Sequence, residues 1–500
     1  MKKLSIFMAL TVLLLVPLSV KADSELQGLI QNGTVTLDKD YVSNEPTNIP
    51  EGMNVTIDLN GHTIQATGNS GIDAIRNYGT LTIKGEGLIT AVGAAIVNYP
   101  GATATLDNGE YLSTGWYTIK NMGHMTINNL IFGNNVNNGA SLIDNGFYGS
   151  TSSDRGQLEA NANDNTVSMT INGGTFTNKN NSCNVIKNDD WGNLVINGGT
   201  FTAGSDDATN ANPVVQNWHK ATINDGVFNS INGFALTNGF WDATLGVGLM
   251  TINGGTFSGT RGIFADNGSA TPNQGRLTIN GGTYTGTVTM NHVYELVING
   301  GVFSDNTVTP SDPAKESFHV IGTDQVIIAS EEDLVANLET NAVKEAEIDA
   351  TTLDLIKKAI NDDEVIGAFY EINLFKTVEG LNVEQVENAP DKVKVTLKLP
   401  ALEQVKEGYN RTYYMIRIHD GKADILDVTV NNDGTFSFET DKFSTYALAY
   451  KDTLVTSDKK DEVKNPDTLD AATVYIALFG LGVAGAFGSY KYINKRKENI

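Results

Sequence analysis

The stretch MTINGGTFTN, residues 169–178, decides the fold, because nine other segments in the first two-thirds of the chain repeat its pattern. Successive copies are separated by roughly 19 to 29 residues, the length of one coil of a solenoid. One gap is about twice as long and contains a polar stretch, residues 139–165, so we expect a degenerate coil or an insertion there. The central apolar residues of the ten copies are Ile57, Ile83, Leu106, Ile127, Ile171, Ile196, Ile223, Ile252, Ile279 and Ile298.

A second motif precedes most copies and has the form apolar-x-Asn. One coil therefore contains three short strands: the x-Ile-x-Asn strand, the Thr-Ile-Asn strand and the Gly-x-Phe/Tyr strand. The second motif occurs as AIRNYG, AIVNYP, TIKNMG, VIKNDD, VVQNWH, ALTNGF and VTMNHV.

The residue types at each position predict which way the side chains face. Alternating polar and apolar residues are typical of half-buried strands, with Ile and Phe inside and Thr in solvent. The Asn-Gly pairs tolerate the positive φ angles of tight corners. Stacked coils place Asn above Asn, so we expect ladders of hydrogen-bonded side-chain amides. Ten to twelve coils spaced ~4.8 Å apart predict a rod on the order of 50 to 60 Å long.

This pattern resembles the right-handed parallel β-helix of bacterial surface proteins and pectate-lyase-like enzymes. The NGGTF segments in particular are similar to the coils of sortase-anchored Gram-positive (Firmicutes) surface proteins. The resemblance implies a mainly β fold with a β-helix over residues 23–310. The alternative is an array of antiparallel β-sandwiches, which would need repeats of about 80 to 100 residues.

After residue 310 the repeats stop, and residues 311–451 predict a smaller α+β or β-sandwich stalk module. Ser330 and the acidic residues after it favour a helix over 331–348, and 351–362 also has helical spacing. Strand-like runs and an Asn431–Gly434 turn follow, in a segment that resembles the juxtamembrane stalk modules of anchored Firmicutes proteins. The predicted strands are AFYEINLF, KVKVTLKLP, TYYMIRIHD, ADILDVTV, TFSFET and KFSTYALAY.

Both ends of the chain carry targeting patterns. Residues 1–22 have a basic start, an apolar run and a small-x-small cleavage site, which predicts a secretory signal peptide. Residues 452–464 form a charged linker, and 471–490 are uncharged and long enough to cross a membrane as a helix. The basic tail, 491–500, predicts that this end is cytoplasmic and that the rest of the chain lies outside.

The segment 465–470 completes the C-terminal pattern and resembles a sortase sorting signal. The resemblance implies that sortase cleaves after Thr468 and joins it to peptidoglycan, after the chain has been held in the membrane through 471–490. Departures from the commonest motif leave the sortase class open, and a plain single-span membrane anchor is the alternative. The motif residues are Asn465, Pro466, Asp467, Thr468 and Leu469.

The charge, cysteine and histidine content of the chain limits the partners and cofactors that it can have. The chain has 58 acidic and 34 basic residues, a net charge of -24, which argues against a nucleic-acid partner. The single cysteine, Cys183, excludes an intrachain disulfide, and we expect it to be a packed residue. None of the six histidines has metal-ligand spacing, so the sequence predicts neither a metal nor another cofactor.

Parallel β-helix proteins include both enzymes and binding proteins, so the repeats could be catalytic or could only bind a ligand. Lyase or hydrolase chemistry needs a cluster of carboxylates with Arg, Lys or His, whereas the repeats contain only two adjacent acid pairs, Asp189-Asp190 and Asp206-Asp207. We expect Asp189-Asp190 to be a coil corner rather than half of a hydrolase site. Arginine is scarce in the repeats, occurring as Arg76, Arg155, Arg261 and Arg276.

Surface aromatics are the stronger candidates, because aromatic rings stack on sugars and anchor partners. The alternative role of these rings is to fill or cap the solenoid. Two insertions, 137–165 and 203–211, are candidate binding loops. The sequence thus favours a wall-anchored, non-catalytic, adhesin-like protein that binds an extracellular glycan or protein; a polysaccharide lyase or hydrolase and a structural spacer are the alternatives. The candidate ligand-binding aromatics are Trp116, Trp191, Trp218 and Trp241.

Overall fold

A computed structural model describes the chain from Glu25 to Val455 with internal gaps, together with a short strand near the C-terminus. The predicted signal peptide, sorting motif and most of the linker, span and tail lie outside the described residues. The described ranges are 25–68, 71–115, 117–132, 140–147, 167–179, 183–204, 213–239, 248–265, 275–288, 295–455 and 490–491.

The chain divides into two compact units between Lys315 and Glu316. The first unit opens with a short helix, α1 (Glu25–Leu29), and continues as a parallel β-solenoid whose coils each contribute to three sheets. This confirms the predicted parallel β-helix architecture and shows that the β-sandwich alternative is wrong for the repeats. The right-handed sense of the coil stays a prediction.

Sheet A contains the Thr-Ile-Asn strands. Its eleven described strands pair in parallel at a constant register from coil to coil. They are Gly33–Thr36, Asn54–Asp58, Thr80–Lys84, Thr103–Leu106, His124–Ile127, Val167–Ile171, Gly192–Ile196, Lys220–Ile223, Leu249–Ile252, Arg276–Ile279 and Glu295–Ile298.

Sheet B contains the strands that follow those of sheet A in each coil, and in the first unit every one from Glu110–Ser113 onward carries an aromatic residue. Within the first unit they are Tyr41–Ser43, Thr63–Ala66, Leu88–Ala91, Glu110–Ser113, Leu130–Phe132, Gly174–Asn178, Thr200–Ala203, Val227–Ser230, Thr256–Gly259, Thr283–Thr285 and Gly301–Phe303.

Sheet C contains the x-Ile-x-Asn strands. Ile143–Asn145 lies between Leu130–Phe132 of sheet B and Val167–Ile171 of sheet A, so the long gap in the repeat is one coil with insertions. The described strands are Thr47–Ile49, Ile75–Asn77, Ile96–Asn98, Ile119–Asn121, Ile143–Asn145, Ile186–Asn188, Val215–Asn217, Phe234–Asn238 and Gly262–Ala265.

The interior of the solenoid contains a column of aromatic rings from sheet B. Constant register places each ring over the next, with centroids 4.6 to 5.9 Å apart. The corner before every ring of this column except Phe132 has a glycine: Gly199, for example, has φ +118°, and a Cβ there would lie 3.1 Å from the Phe201 ring. The column comprises Tyr111, Phe132, Phe176, Phe201, Phe228, Phe257, Tyr284 and Phe303.

A ladder of buried asparagines, the inner Asn ladder, ends the strands of sheet C. Each Nδ2 donates to the Oδ1 of the asparagine in the next coil toward the C-terminus, at 2.7 to 2.8 Å. The same amides donate to carbonyls of sheet A, as Asn77 does to Thr103 at 2.9 Å, and so close the corner between the sheets. The predicted ladder is confirmed, with members Asn77, Asn98, Asn121, Asn145, Asn188, Asn217 and Asn238.

The second unit contains a β-sandwich-like module with a helix, α2 (Ala350–Ala359), capped by Asp349, whose carboxylate accepts from the backbone amides of Thr351 and Thr352. A hairpin, Glu316–His319 with Val326–Ala329, precedes the module. The other strands are Val335–Val343, Val365–Val378, Leu381–Val386, Asn388–Lys398, Tyr409–His419, Lys422–Asp427, Thr429–Val430, Thr435–Lys442, Thr445–Leu454 and Tyr490–Lys491.

The module buries one core between its two sheets and another beneath α2. Tyr370 and Met415 of the larger sheet pack against Phe436 of the three-stranded sheet, while Ile356 of α2 packs on the opposite face of the larger sheet. The predicted strands, the Asn431–Gly434 turn and the second helix are confirmed.

The predicted helix over 331–348 is wrong. Only short 3-10 turns, Glu331–Asp333 and Glu345–Glu347, form at its ends, and Val335–Val343 between them is a strand. All nine residues of this strand pair antiparallel with Val365–Val378. Asn and Thr within it are weak helix formers, so tertiary pairing outweighs the apparent helical spacing.

Within the described part of the chain, no helix has the length and apolar character needed to cross a membrane. The predicted span, 471–490, lies outside that part except for Tyr490. Tyr490–Lys491 pairs with Ala336 and Val335 as a two-residue strand.

We expect Phe228→Ala to lower the free energy of unfolding by about 3–5 kcal/mol, because it removes one ring from the buried column. The neighbouring Val227 is 44% exposed on the same strand, so Val227→Ala is the control and should cost less than about 0.5 kcal/mol. Urea denaturation followed by circular dichroism measures both. Equal midpoints for the two variants would contradict a packed aromatic column.

Candidate functional site

Of the tryptophans predicted as ligand contacts, the two that the structure describes are buried or half-buried. Trp116 and Trp241 lie outside the described residues. Trp218 is 6% exposed, and Lys187 Nζ lies 4.5 Å above its ring. Trp191 is half-buried with φ +68° and packs on a group of buried apolar residues, the outer apolar cluster: Ala94, Val97, Met122, Phe147 and Val167.

The outer face of sheet C carries charge where a solvent-facing polar row is expected. The middle residues of successive strands lie in register: Arg76, Val97, Lys120, Asp144, Lys187, Gln216 and Thr237. Lys120 and Asp144 are only 4% and 0% exposed. The outer apolar cluster lies on the same face, which takes these side chains out of water.

Two ion pairs share this buried location, and we call their four residues the buried charge cluster: Lys120, Asp144, Lys187 and Asp189. Lys120 Nζ lies 2.8 Å from Asp144 Oδ2 and donates to the Gly146 carbonyl at 2.9 Å. Lys187 Nζ lies 3.0 Å from Asp189 Oδ1. Burying a charged side chain is unfavourable unless it is paired, and each lysine here has an aspartate as its partner.

The carboxyl group of Asp189 has a pKa well above its usual range. Burial is the main cause and the charge of Asp144 adds to it, while Lys187 and Lys120 oppose the rise. A carboxyl that holds its proton can act as an acid. Asp189 and Asp190 lie at the corner between Ile186–Asn188 and Gly192–Ile196, where the sequence analysis expected a coil corner. Asp206-Asp207 lies outside the described residues.

An exposed aromatic pair was missed by the sequence analysis. The rings of Tyr78 and Tyr99 stack with centroids 4.2 Å apart, and Tyr78 is 39% exposed. Burial and the hydrogen bond to Tyr78 raise the pKa of Tyr99 to about 12. Arg76 lies nearby, with Nε 2.7 Å from Asp73 Oδ2. The signal was present, because both tyrosines directly follow the inner ladder asparagine in AIRNYG and AIVNYP.

The outer face of sheet A is a flat polar array. Its centre is a line of half-buried or exposed side chains, the Thr row: Thr34, Thr56, Thr82, Thr105, Thr126, Thr170, Val195, Thr222, Thr251, Thr278 and Val297. The sequence predicts that these threonines face solvent, and the constant register between coils aligns them in one row.

A second asparagine ladder, the outer Asn ladder, runs beside the Thr row. Here each Nδ2 donates to the Oδ1 of the preceding coil at 2.7 to 2.9 Å, the opposite direction to the inner Asn ladder. The amides are therefore held in fixed orientations on the surface. The members are Asn128, Asn172, Asn197, Asn224, Asn253, Asn280 and Asn299.

The remaining sequence predictions concern Cys183, the two candidate loops and metal binding. Cys183 is buried, as expected, and burial raises the pKa of its thiol to about 11. The candidate loops 137–165 and 203–211 lie mostly outside the described residues. Across the described ranges, no group of three His, Cys, Asp or Glu residues could hold a metal ion.

Comparison with known proteins returns no matching family model, no matching curated protein and no matching solved structure.

We expect wild-type stability to fall as pH rises above the unfolded carboxyl pKa of about 4, because folded Asp189 keeps its proton to higher pH. Below that pH both states are protonated and the effect is absent. Asp189→Asn mimics the protonated form, so its urea midpoint should gain on the wild type as pH rises from 4 to 8. Asp225→Asn, at an exposed carboxyl of the same solenoid, is the control. A constant difference between Asp189→Asn and wild type would contradict the raised pKa.

Proposed function

We propose that the chain is a wall-anchored, adhesin-like surface protein whose solenoid binds a linear, neutral glycan without cleaving it. Export is supported by the signal-peptide pattern of residues 1–22. Attachment to peptidoglycan by sortase is supported by the motif around Thr468, the apolar segment 471–490 and the basic tail. In this scheme the chain is held in the membrane through 471–490 until sortase joins Thr468 to the wall.

The observation that carries the binding proposal is that the Thr row and the outer Asn ladder run side by side on the outer face of sheet A. Coils spaced about 4.8 Å apart repeat the same groups along the solenoid. This spacing is close to the length of one sugar residue in an extended β-linked chain. A polysaccharide lying along the solenoid would therefore meet equivalent contacts at each sugar.

The outer Asn ladder suits such binding because its side chains are already ordered. Each Asn uses one N–H within the ladder and retains a second N–H for a sugar hydroxyl. Ordering loose side chains on binding is costly, and here that cost is small. Threonine methyl groups between the polar groups offer apolar contact to the faces of sugar rings.

Charge favours a neutral glycan over an acidic one. The chain has a net charge of -24, and like charge repels an anionic polymer at long range. The stacked Tyr78 and Tyr99 rings add an aromatic platform of the kind that binds sugars. Trp191 offers a further, half-buried ring.

We expect Thr222→Arg to weaken glycan binding by at least about tenfold, or 1.4 kcal/mol, because a long side chain would stand in the middle of the Thr row. Thr202→Arg is the matched control, since Thr202 is half-buried at the outer face of sheet B. Affinity electrophoresis of the full chain through gels containing neutral β-linked polysaccharides measures the change. Equal retardation of both variants would show that sheet A is not the binding face.

A second candidate is a surface polysaccharide lyase or glycoside hydrolase. Asp189, with its raised pKa beside Asp144, favours it, whereas the burial of both carboxyls opposes it. A polysaccharide-cleavage screen with and without calcium separates the candidates. Release of oligosaccharides supports an enzyme, and binding without products supports the adhesin-like protein. If there is neither cleavage nor binding, the structural spacer is favoured.

We expect Thr468→Ala to abolish covalent attachment to the wall, because the alanine variant lacks the residue at which sortase joins the chain. Wild-type protein should be released from cells only by a wall-digesting muramidase, and the variant should be extracted by detergent. Thr453→Ala, upstream of the motif, is the control and should behave as wild type. Detergent extraction of wild-type protein would favour a plain membrane anchor.

A further inference from the structure

The buried charge cluster is not used by the proposed glycan-binding face. Lys120 and Asp144 are direct register partners on neighbouring strands of sheet C, Ile119–Asn121 and Ile143–Asn145. The amine nitrogen and a carboxyl oxygen are 2.8 Å apart, and the two side chains are 5% and 0% exposed. Oδ1 of Asp144 has no hydrogen-bond partner among the described residues.

We propose that Lys120 and Asp144 condense to form an intramolecular amide bond between Nζ and Cγ. The bond would join two successive coils of the solenoid covalently, through their side chains. It forms within one folded chain and needs no other reactant.

The surroundings of Lys120 favour condensation of the pair. Its Nζ lies 5.7 Å from the centroid of the Tyr117 ring and 5.9 Å from that of Phe147. An ion pair is poorly solvated in such a site, and condensation replaces its two buried charges with a neutral amide. The amine nitrogen is the nucleophile of this reaction and the carboxyl carbon is the electrophile.

The reaction balances with one water as the leaving molecule. The Nζ lone pair attacks Asp144 Cγ, and a C–N bond forms. One carboxyl oxygen leaves as water after receiving one proton from Asp189, and Nζ returns one proton to Asp189. The Gly146 carbonyl, 2.9 Å from Nζ, accepts a hydrogen bond from the amine and orients it.

Asp189 suits the role of acid because it lies beside the pair: its Oδ1 is 3.0 Å from Lys187 Nζ, and Lys187 is the register partner of Asp144 on the next strand. Burial also holds the pKa of its carboxyl well above the usual range. Lys187 positions it, because Lys187 Nζ donates a hydrogen bond to Asp189 Oδ2 at 3.1 Å.

A second Lys–Asp pair on the solenoid provides an internal control. Lys84 and Asp58 are also register partners on neighbouring strands, with Nζ 3.3 Å from Oδ2, but their side chains are 45% and 26% exposed. Water stabilises this ion pair, so we expect it to stay unlinked. The two pairs differ mainly in burial and in the neighbouring acid.

Trypsin digestion of the unfolded full chain, followed by mass spectrometry, tests the bond. Trypsin does not cut after an acylated lysine, and no Lys or Arg lies between Lys84 and Lys120 or between Lys120 and Arg155. The linked protein should give one peptide, residues 85–155, lighter by one water than its sequence mass. Cleavage after Lys84 in the same digest verifies both trypsin activity and the unlinked control pair.

Recovery of separate peptides 85–120 and 121–155 at full mass from folded wild-type protein would overturn the proposal. Asp144→Ala should give these two peptides. Asp189→Asn retains both reacting groups, and loss of the acid should slow linking after refolding by at least about a hundredfold. Circular dichroism verifies that this variant folds, and linking at the wild-type rate would overturn the role of Asp189. Glycan affinity of the same samples reports the proposed function separately.

Discussion

Constant register between coils is the constraint on which the rest of the solenoid depends. Because each strand pairs in parallel with the same residue of the next coil, a side chain that fits once fits at every level. The inner Asn ladder holds this register at the corner from sheet C to sheet A, where each amide joins the next coil and a carbonyl of sheet A. A one-residue slip would turn every buried Ile to solvent and break every amide contact.

Much of the solenoid could be predicted from sequence because its signals are local and repeated. The alternation of polar and apolar residues around Ile171 predicted the strands and the direction in which their side chains face. The asparagine at the end of each sheet C strand predicted the inner Asn ladder. The helix prediction over 331–348 was wrong because the structure of this segment depends on a distant part of the chain. Its strand exists through pairing with Val365–Val378, a partner that no local pattern reveals.

The candidate sites were harder to predict, because they are assembled from residues in different coils. Lys120 and Asp144 are separated by 24 residues and become neighbours only when the coils stack. A lysine in an Ile-Lys-Asn strand gives no sign of whether an apolar cluster will cover it. The Asp189 corner was expected, but its burial depends on the same covering residues. Tyr78 and Tyr99 could have been found, since they occupy the same position of two adjacent repeats.

The two asparagine ladders have a consequence for the electrical character of the rod. Each is a line of aligned amide dipoles, and dipoles joined head to tail add along a line, as they do in a helix. The inner line points one way and the outer line the other. Their fields therefore oppose each other along the axis, so stacking more coils builds up less charge separation between the ends than a single ladder would. A chain of this design can vary its number of repeats while keeping the local field at the Thr row unchanged.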